Sequence, residues 1–230
     1  LVYTVTDGGI SKNTATYGAS FTQINGNLAL NECYDVAIYE NDENMYLIGA
    51  HDNGTLITTS TRNWDWIRGG DGGICAIDPN NPNRIYSLAN RDIGISTNQG
   101  ANWLSSIELG SYNSPYSLKP GTPSNVYAGS FDGVLAKGTL LKSTDYGATF
   151  NTLVTSEWGV VKAFEVSSND PNYMLFATYN PWGSGGSEGY LKRSTNGGSA
   201  WASAETGLSS IIDDEIITDI CFDRTNKNYA

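Results

Sequence analysis

Ser143-Thr144-Asp145-Tyr146-Gly147-Ala148-Thr149-Phe150 is the stretch on which the fold is read. Near-copies of it stand at Ser96-Thr97-Asn98-Gln99-Gly100-Ala101-Asn102-Trp103 and at Ser194-Thr195-Asn196-Gly197-Gly198-Ser199-Ala200-Trp201. Their starts lie about 47 and about 51 residues apart, a period that fits a repeated unit of four antiparallel strands. Asp or Asn followed two residues later by Gly suits a tight turn. The short side chain accepts backbone N–H bonds, and Gly takes the positive φ. The closing Trp or Phe is expected to pack into the sheet, so Ser96, Asn98, Gly100, Trp103, Ser143, Asp145, Gly147, Phe150, Ser194, Asn196, Gly198 and Trp201 read as structural residues that fix the register of everything between them.

The composition agrees with short strands and many turns. Only 16% of the 230 residues are charged, while Gly numbers 26, Tyr 14 and Trp 6. Polar uncharged surfaces of this kind are frequent in secreted proteins, so a secreted or cell-surface location is expected. With 13 Lys plus Arg against 24 Asp plus Glu the net charge is -11, which leaves no basic field for a phosphate backbone and excludes nucleic acid as a partner. The 3 cysteines, Cys33, Cys75 and Cys221, have no metal-type spacing, and their number leaves the disulfide state open. Cys75 and Cys221 sit in apolar runs where burial is expected. No leader or membrane-spanning run is visible and no membrane insertion is expected. The chain opens directly on the alternating strand Leu1 to Val5, as a processed or excised piece would.

In chain order, the repeat divides the sequence into units at about 34-70, 71-110, 112-155 and 159-205. Each opens on an apolar strand, a Pro- or Asn-rich turn and a second strand, as in Ile74 to Ser87. A fifth unit is expected from 1-25 plus 212-230, with Ser11 to Phe21 a degenerate copy of the repeat and Ile216 to Phe222 its innermost strand. The fold class is all-β, a β-propeller of four-stranded antiparallel blades. Either about five blades close into a ring by that strand exchange, or the chain is an arc of a larger propeller.

Ser143 to Phe150 resembles the Asp-box, or bacterial neuraminidase repeat, of pattern Ser-x-Asp-x-Gly-x-Thr-Trp. The copies at 96 and 194 carry Asn for Asp. Thr6 to Ile10, His51 to Thr55 and Gly70 to Gly73 also resemble segments of secreted Bacteroidetes propellers and of sortilin-like and xyloglucan-cleaving propellers. The resemblance implies that these boxes lie on the hairpin between the two outer strands of a blade, away from the axis. It also implies that a xyloglucan-cleaving relative would take its two catalytic aspartates from two propellers facing a cleft. This chain would then hold at most one of them, with Asp52 or Asp71 as candidates. A sialidase would need an arginine cluster; Arg84 and Arg224 instead occupy equivalent blade turns, which argues against that activity.

The Asp-Gly steps Asp7-Gly8, Asp71-Gly72 and Asp132-Gly133 each follow a strand, with Asp52-Asn53-Gly54 close in kind. Three readings stay open for them: favoured turns, a Ca²⁺ or glycan site built from Asp7, Asp71 and Asp132, or an acid/base pair. His51 is the only histidine, so no His-based metal site or Ser-His-Asp triad is expected. Trp64 and Trp66 share one face of a strand, to be used for packing or as a sugar-stacking platform. Trp182, in the Gly-rich loop Pro181 to Gly189, is a further candidate for carbohydrate contact. Asn53-Gly54-Thr55 matches the glycosylation sequon, a frequent chance match. Together these features point to a propeller module that binds glycans or proteins as a scaffold, alone or in a larger assembly. The alternative is a polysaccharide-cleaving glycoside hydrolase.

Overall fold

Period-two alternation within short runs leaves the chain little choice but extended structure, and every regular element among the described residues is a β-strand. The computed structural model describes residues 2–6, 9–13, 20–24, 31–60, 63–109, 118–120, 124–132, 137–155, 159–179, 189–208 and 217–230. The N-terminal sheet has three strands, β1 (Val2–Thr6), β2 (Gly9–Asn13) and β3 (Thr22–Gln23). Four blades follow. Blade A holds β4 (Cys33–Ile38), β5 (Tyr46–Ala50), β6 (Gly54–Thr58) and β7 (Asp65–Arg68). Blade B holds β8 (Gly72–Asp78), β9 (Asn81–Ala89), β10 (Asp92–Ser96) and β11 (Leu104–Glu108). Blade C holds β12 (Leu118–Pro120), β13 (Val126–Asp132), β14 (Lys137–Ser143) and β15 (Asn151–Thr155). Blade D holds β16 (Val160–Val166), β17 (Met174–Tyr179), β18 (Gly189–Ser194) and β19 (Ala202–Ser203). Each blade is an antiparallel meander in which sequence neighbours are ladder neighbours.

Strands such as β8, β9, β16 and β17 are buried on both faces, while β4, β7, β15 and β19 are largely exposed, and in the buried strands the pleat sends alternate residues to different interfaces. In β8, Cys75 and Ile77 join Met45, Leu47 and Ile57 of blade A, while Ala76 joins Val126 and Ala128 of blade C. In β13 the intervening Tyr127 turns the other way, onto Phe164, Met174 and Phe176 of blade D. Blade D in turn covers Phe222, with Ile217 and Ile220 packed alongside.

All three repeats form one turn, between the third and fourth strands of blades B, C and D. The buried Ser96, Ser143 and Ser194 hydroxyls each accept the N–H of the box glycine at 2.8, 2.8 and 2.9 Å. They donate to Asn98, Asp145 and Asn196 at 2.9, 2.6 and 2.9 Å. Those side chains then accept the N–H four residues on, at 2.8 Å in every copy. The glycines have φ of 88, 91 and 89°, and each also touches the preceding blade. A Cβ would stand 2.7 Å from Ile67 at Gly100, 2.9 Å from Ile95 at Gly147 and 2.7 Å from Leu153 at Gly198. The turn therefore does two things: it closes an outer hairpin and seats one blade on the next.

Only the copy at 143 has a titratable centre. Hydrogen bonds from the Ser143 hydroxyl, the Thr149 hydroxyl and the Thr149 N–H hold Asp145 down from 3.8 to about 2. A depressed carboxyl contributes stability that is present above its unfolded value and lost as pH falls through its folded value. Acid melts between pH 4 and pH 2 (roughly, from the carboxyl reference values) should therefore fall less steeply for Asp145→Asn than for wild type. Asn98 and Asn196 already show that an amide can hold the same frame. Equal slopes for the two proteins would show that the box does not feel its charge.

Two strand expectations are corrected. Ile216 lies outside the described residues, and 217–223 forms no strand. Among the described residues β1 pairs with β2 alone, so the strand exchange is not formed there. Among the described residues the segment has no ladder partner, and it packs by its apolar side. Phe222 takes the buried place and Cys221 is turned outward, against the burial expected for it. All three cysteines are free; Cys75 is buried and Cys33 exposed. The turn after 222 still has blade geometry: Asp223 N–H donates to Tyr229 O at 2.9 Å, as Ser167 does to Tyr173 at 2.9 Å. Lys227 bonds Asp170 at 2.6 Å on blade D, and Arg224 reaches Glu40 on blade A at 3.1 Å.

Candidate functional site

Two places combine exposed chemistry with a framework that holds it. The first is at the join of blades A and B, where the β5–β6 hairpin meets the connector from β7 to β8. Backbone lies directly on backbone here. A Cβ on Gly49 would stand 1.7 Å from the Gly73 carbonyl oxygen, and one on Gly72 would stand 1.9 Å from that of Gly54. Glycine is required because no side chain intervenes. Beneath this contact Thr55 and Ser87 share a buried hydroxyl bond at 2.5 Å. Arg68 donates to the carbonyls of Ser87 and Asp92 and lies over the Trp103 ring, and its burial lowers its pKa.

That close approach brings Asp71 to His51 and Asp52. One ligand-type atom from each of the three lies within 4.8 Å of the others. Asp52 is exposed and left-handed at φ 57°, while His51 and Asp71 are half-buried. Glu32 Oε2 is 3.4 Å from His51 Nδ1, and Asp52 Oδ2 is 3.9 Å from it. The backbone is fixed at His51 and Asp71: His51 N–H donates to Glu32 O at 2.8 Å, Asp71 N–H to Asn90 Oδ1 at 3.1 Å, and Asn90 N–H to Asp71 O at 3.0 Å. The sequon residue Asn53 spends its amide on His51 O at 3.0 Å.

The second place is the opposite end of β6. A cleft of about 450 Å³ runs between the edge strand β7 and the box turn of blade B, lined by Ile57, Thr59, Asp65, Trp66, Ile67 and Asn98 to Ala101. Trp66 is 67% exposed and Trp64 43%. Of the two uses left open for this pair, packing and a platform, their exposure fits the platform. Ile67 takes the buried side of the strand with Gly100 against it, so the pleat turns Trp66 outward, and Trp64, just before the strand, is exposed as well. Trp103 is anchored from the other blade, its Nε1 donating to Ile67 O at 2.8 Å.

The candidate sites from sequence thus separate. Asp52 and Asp71 are brought together, with His51 beside them, although no His-containing metal site was expected. Asp7 and Trp182 lie outside the described residues, and of Asp132 only the backbone is described, at the end of β13. Glu32 and Asn90 gave no signal in sequence, because their roles depend on the blade join. Arg84 and Arg224 share no site: Arg84 pairs with the buried Asp78 at 2.7 Å and lies over Tyr146, and Arg224 meets Glu40 at the exposed surface.

No protein-family model matches the sequence, and no curated protein does. Solved structures do resemble it. An ancestral GH74 enzyme matches 74% of this chain over 23% of its own, with a TM-score of 0.56 and 20% identity. YCF48 bound to D1 peptide matches 74% over 52% of its own chain, with a TM-score of 0.51 and 16% identity. Nidogen from a nidogen/laminin complex matches 74% over 63%, with a TM-score of 0.51 and 10% identity. The chain spans less than two thirds of each of these. At such identities the likeness concerns architecture: the chain is an all-β propeller of four-stranded antiparallel blades, a fold that serves an enzyme in the first case and binding proteins in the others.

Proposed function

We propose that the chain is a secreted or cell-surface propeller module that binds glycans as a scaffold, and that Trp66 is its main contact. The carrying observation is an indole 67% exposed at the lip of a cleft that also presents Asp65, Asn98 and Gln99. An exposed indole offers a flat apolar face to sugar C–H groups, and the neighbouring amides and carboxylate suit sugar hydroxyls. Trp64, just before the strand and 43% exposed, offers a second aromatic face close by. Peptide and laminin binding by YCF48 and nidogen supports a binding role for the fold in general and leaves ligand class to this surface. The test is electrophoresis through gels containing soluble polysaccharides. Wild type is expected to be retarded by at least one of them, and Trp66→Ala to lose roughly ten-fold or more in affinity, as removal of a stacked aromatic anchor does. Unchanged retardation in Trp66→Ala would sink the assignment.

The hydrolase reading keeps one specific observation, the convergence of Asp52 and Asp71. Paired carboxyls about 5 Å apart are the arrangement of retaining glycosidases. Neither residue lines the cleft, and His51 sits between them and Glu32. Release of reducing sugar by wild type and its abolition in Asp71→Asn would favour that reading over binding alone.

A further inference from the structure

We infer that His51, Asp52 and Asp71 form a binding site for a borderline divalent transition-metal ion, of which Zn²⁺ is the type, at the join of blades A and B. The site is independent of the glycan proposal, at the other end of β6, four strand steps or about 13 Å away.

The donor set decides the class of ion. Ca²⁺ and Mg²⁺ take oxygen ligands almost alone, whereas an imidazole beside two carboxylates suits Zn²⁺ and its neighbours in the first transition row. Of the residues of the Asp-Gly steps for which Ca²⁺ was one open reading, Asp71 is the one in this cluster, where it stands beside a nitrogen donor. Three donor atoms within 4.8 Å of one another need to close by up to about 1.4 Å to reach the separations of tetrahedral ligands held at roughly 2.0–2.2 Å from one ion. All three side chains have an exposed or half-buried end, so rotation about χ supplies that movement without moving the backbone. The backbone itself is held across two blades by the Gly49–Gly73 and Gly72–Gly54 contacts and by the paired bonds between Asp71 and Asn90. Preorganisation of this kind reduces what ordering the ligands costs.

Glu32 completes the arrangement. Its carboxylate lies 3.4 Å from Nδ1, the ring nitrogen that Asp52 also approaches at 3.9 Å, so it stands beside the imidazole where a carboxylate can orient a metal-bound histidine. Three carboxylates thus surround one imidazole in a chain of net charge -11. A bound dication relieves their mutual repulsion. Ligands from two blades would make the ion a clamp: it ties the β5–β6 hairpin to the β7–β8 connector and stabilises the join by mass action.

The test uses the whole chain, dialysed against chelator and titrated calorimetrically with ZnCl₂ and separately with CaCl₂, followed by the visible spectrum of the Co²⁺ form. The expected result is one saturable Zn²⁺ site, at least ten-fold tighter than for Ca²⁺, weakened ten-fold or more both by His51→Ala and by Asp71→Asn. Co²⁺ should give d–d bands that His51→Ala abolishes. Both variants lie at exposed or half-buried side chains, and circular dichroism melts confirm that each is folded. Absence of saturable Zn²⁺ binding, binding indifferent to both variants, or a preference for Ca²⁺ would each overturn the assignment.

Discussion

Substituting alanine for Gly72 is expected to lower the melting temperature by roughly 6–12 °C, the shift that about 3 kcal/mol produces in a domain of this size. The reason is steric and local. The added Cβ would stand 1.9 Å from the Gly54 carbonyl oxygen and 2.6 Å from the Ala50 nitrogen, both backbone atoms of the β5–β6 hairpin. No side chain can rotate away, so blades A and B must separate. Overpacking usually costs about 1–3 kcal/mol, and a clash with fixed backbone belongs at or above the top of that range. The proper control is Gly207→Ala. That residue has a φ of 85° and nothing within 4 Å of the added atom, so it costs only backbone strain, about 1 kcal/mol. If the two variants melt together, the backbone contact between the blades is not what holds the join. Separation should also pull Asp71 away from His51 and Asp52, so Gly72→Ala is expected to weaken the metal site along with the fold.

Phe164→Ala is expected to cost about 3–5 kcal/mol, the usual price of emptying a buried aromatic site. Phe164 is 2% exposed and fills the interface of blades C and D, its ring 5.2 Å from that of Tyr127, with Val161, Met174 and Phe176 around it. These neighbours sit on strands of two blades and cannot close on the hole without shifting one sheet against the other. Urea titration followed by intrinsic fluorescence measures the loss. Leu104→Ala, at an exposed position of β11, should stay within about 0.5 kcal/mol of wild type. A cost at Phe164 no larger than at Leu104 would mean that the blades are not packed on one another as described.

The all-β class was legible because the signal for it is local. Each box puts an acceptor, a positive-φ glycine and an aromatic within eight residues, and turn chemistry of that range does not wait for tertiary structure. Even there, the sequence showed only half of what Gly100, Gly147 and Gly198 do. Their contacts with Ile67, Ile95 and Leu153 cross from blade to blade, and a glycine chosen for lack of space looks the same in sequence as one chosen for φ. A favoured turn was one reading of the Asp71-Gly72 step for the same reason, although Gly72 and Gly73 both belong to β8 and face blade A or Leu88. Asp71 lies twenty residues or so from His51 and Asp52, so their meeting depends on that glycine contact and had no local pattern to reveal it. Trp66 illustrates a different limit. Periodicity places Trp64 and Trp66 on one side of a strand, but which side faces a neighbour depends on β7 being the outermost strand and on Ile67 taking the seat under Gly100. Cys221 failed in the converse way: its apolar run has the right alternation, yet Phe222 holds the buried phase.

The decisive property is where a bound glycan sits. Titrating ¹⁵N-labelled protein with a soluble oligosaccharide drawn from a polysaccharide that retards it, and following the backbone and indole N–H resonances, locates the contact directly. The predicted result is a set of shifts centred on Trp66 Nε1 and on the amides of Asp65, Ile67, Asn98, Gln99 and Ala101, with those of His51, Asp52 and Asp71 unmoved. Shifts centred on His51, Asp52 and Asp71, with Trp66 unmoved, would contradict it and move the ligand to the carboxylate face.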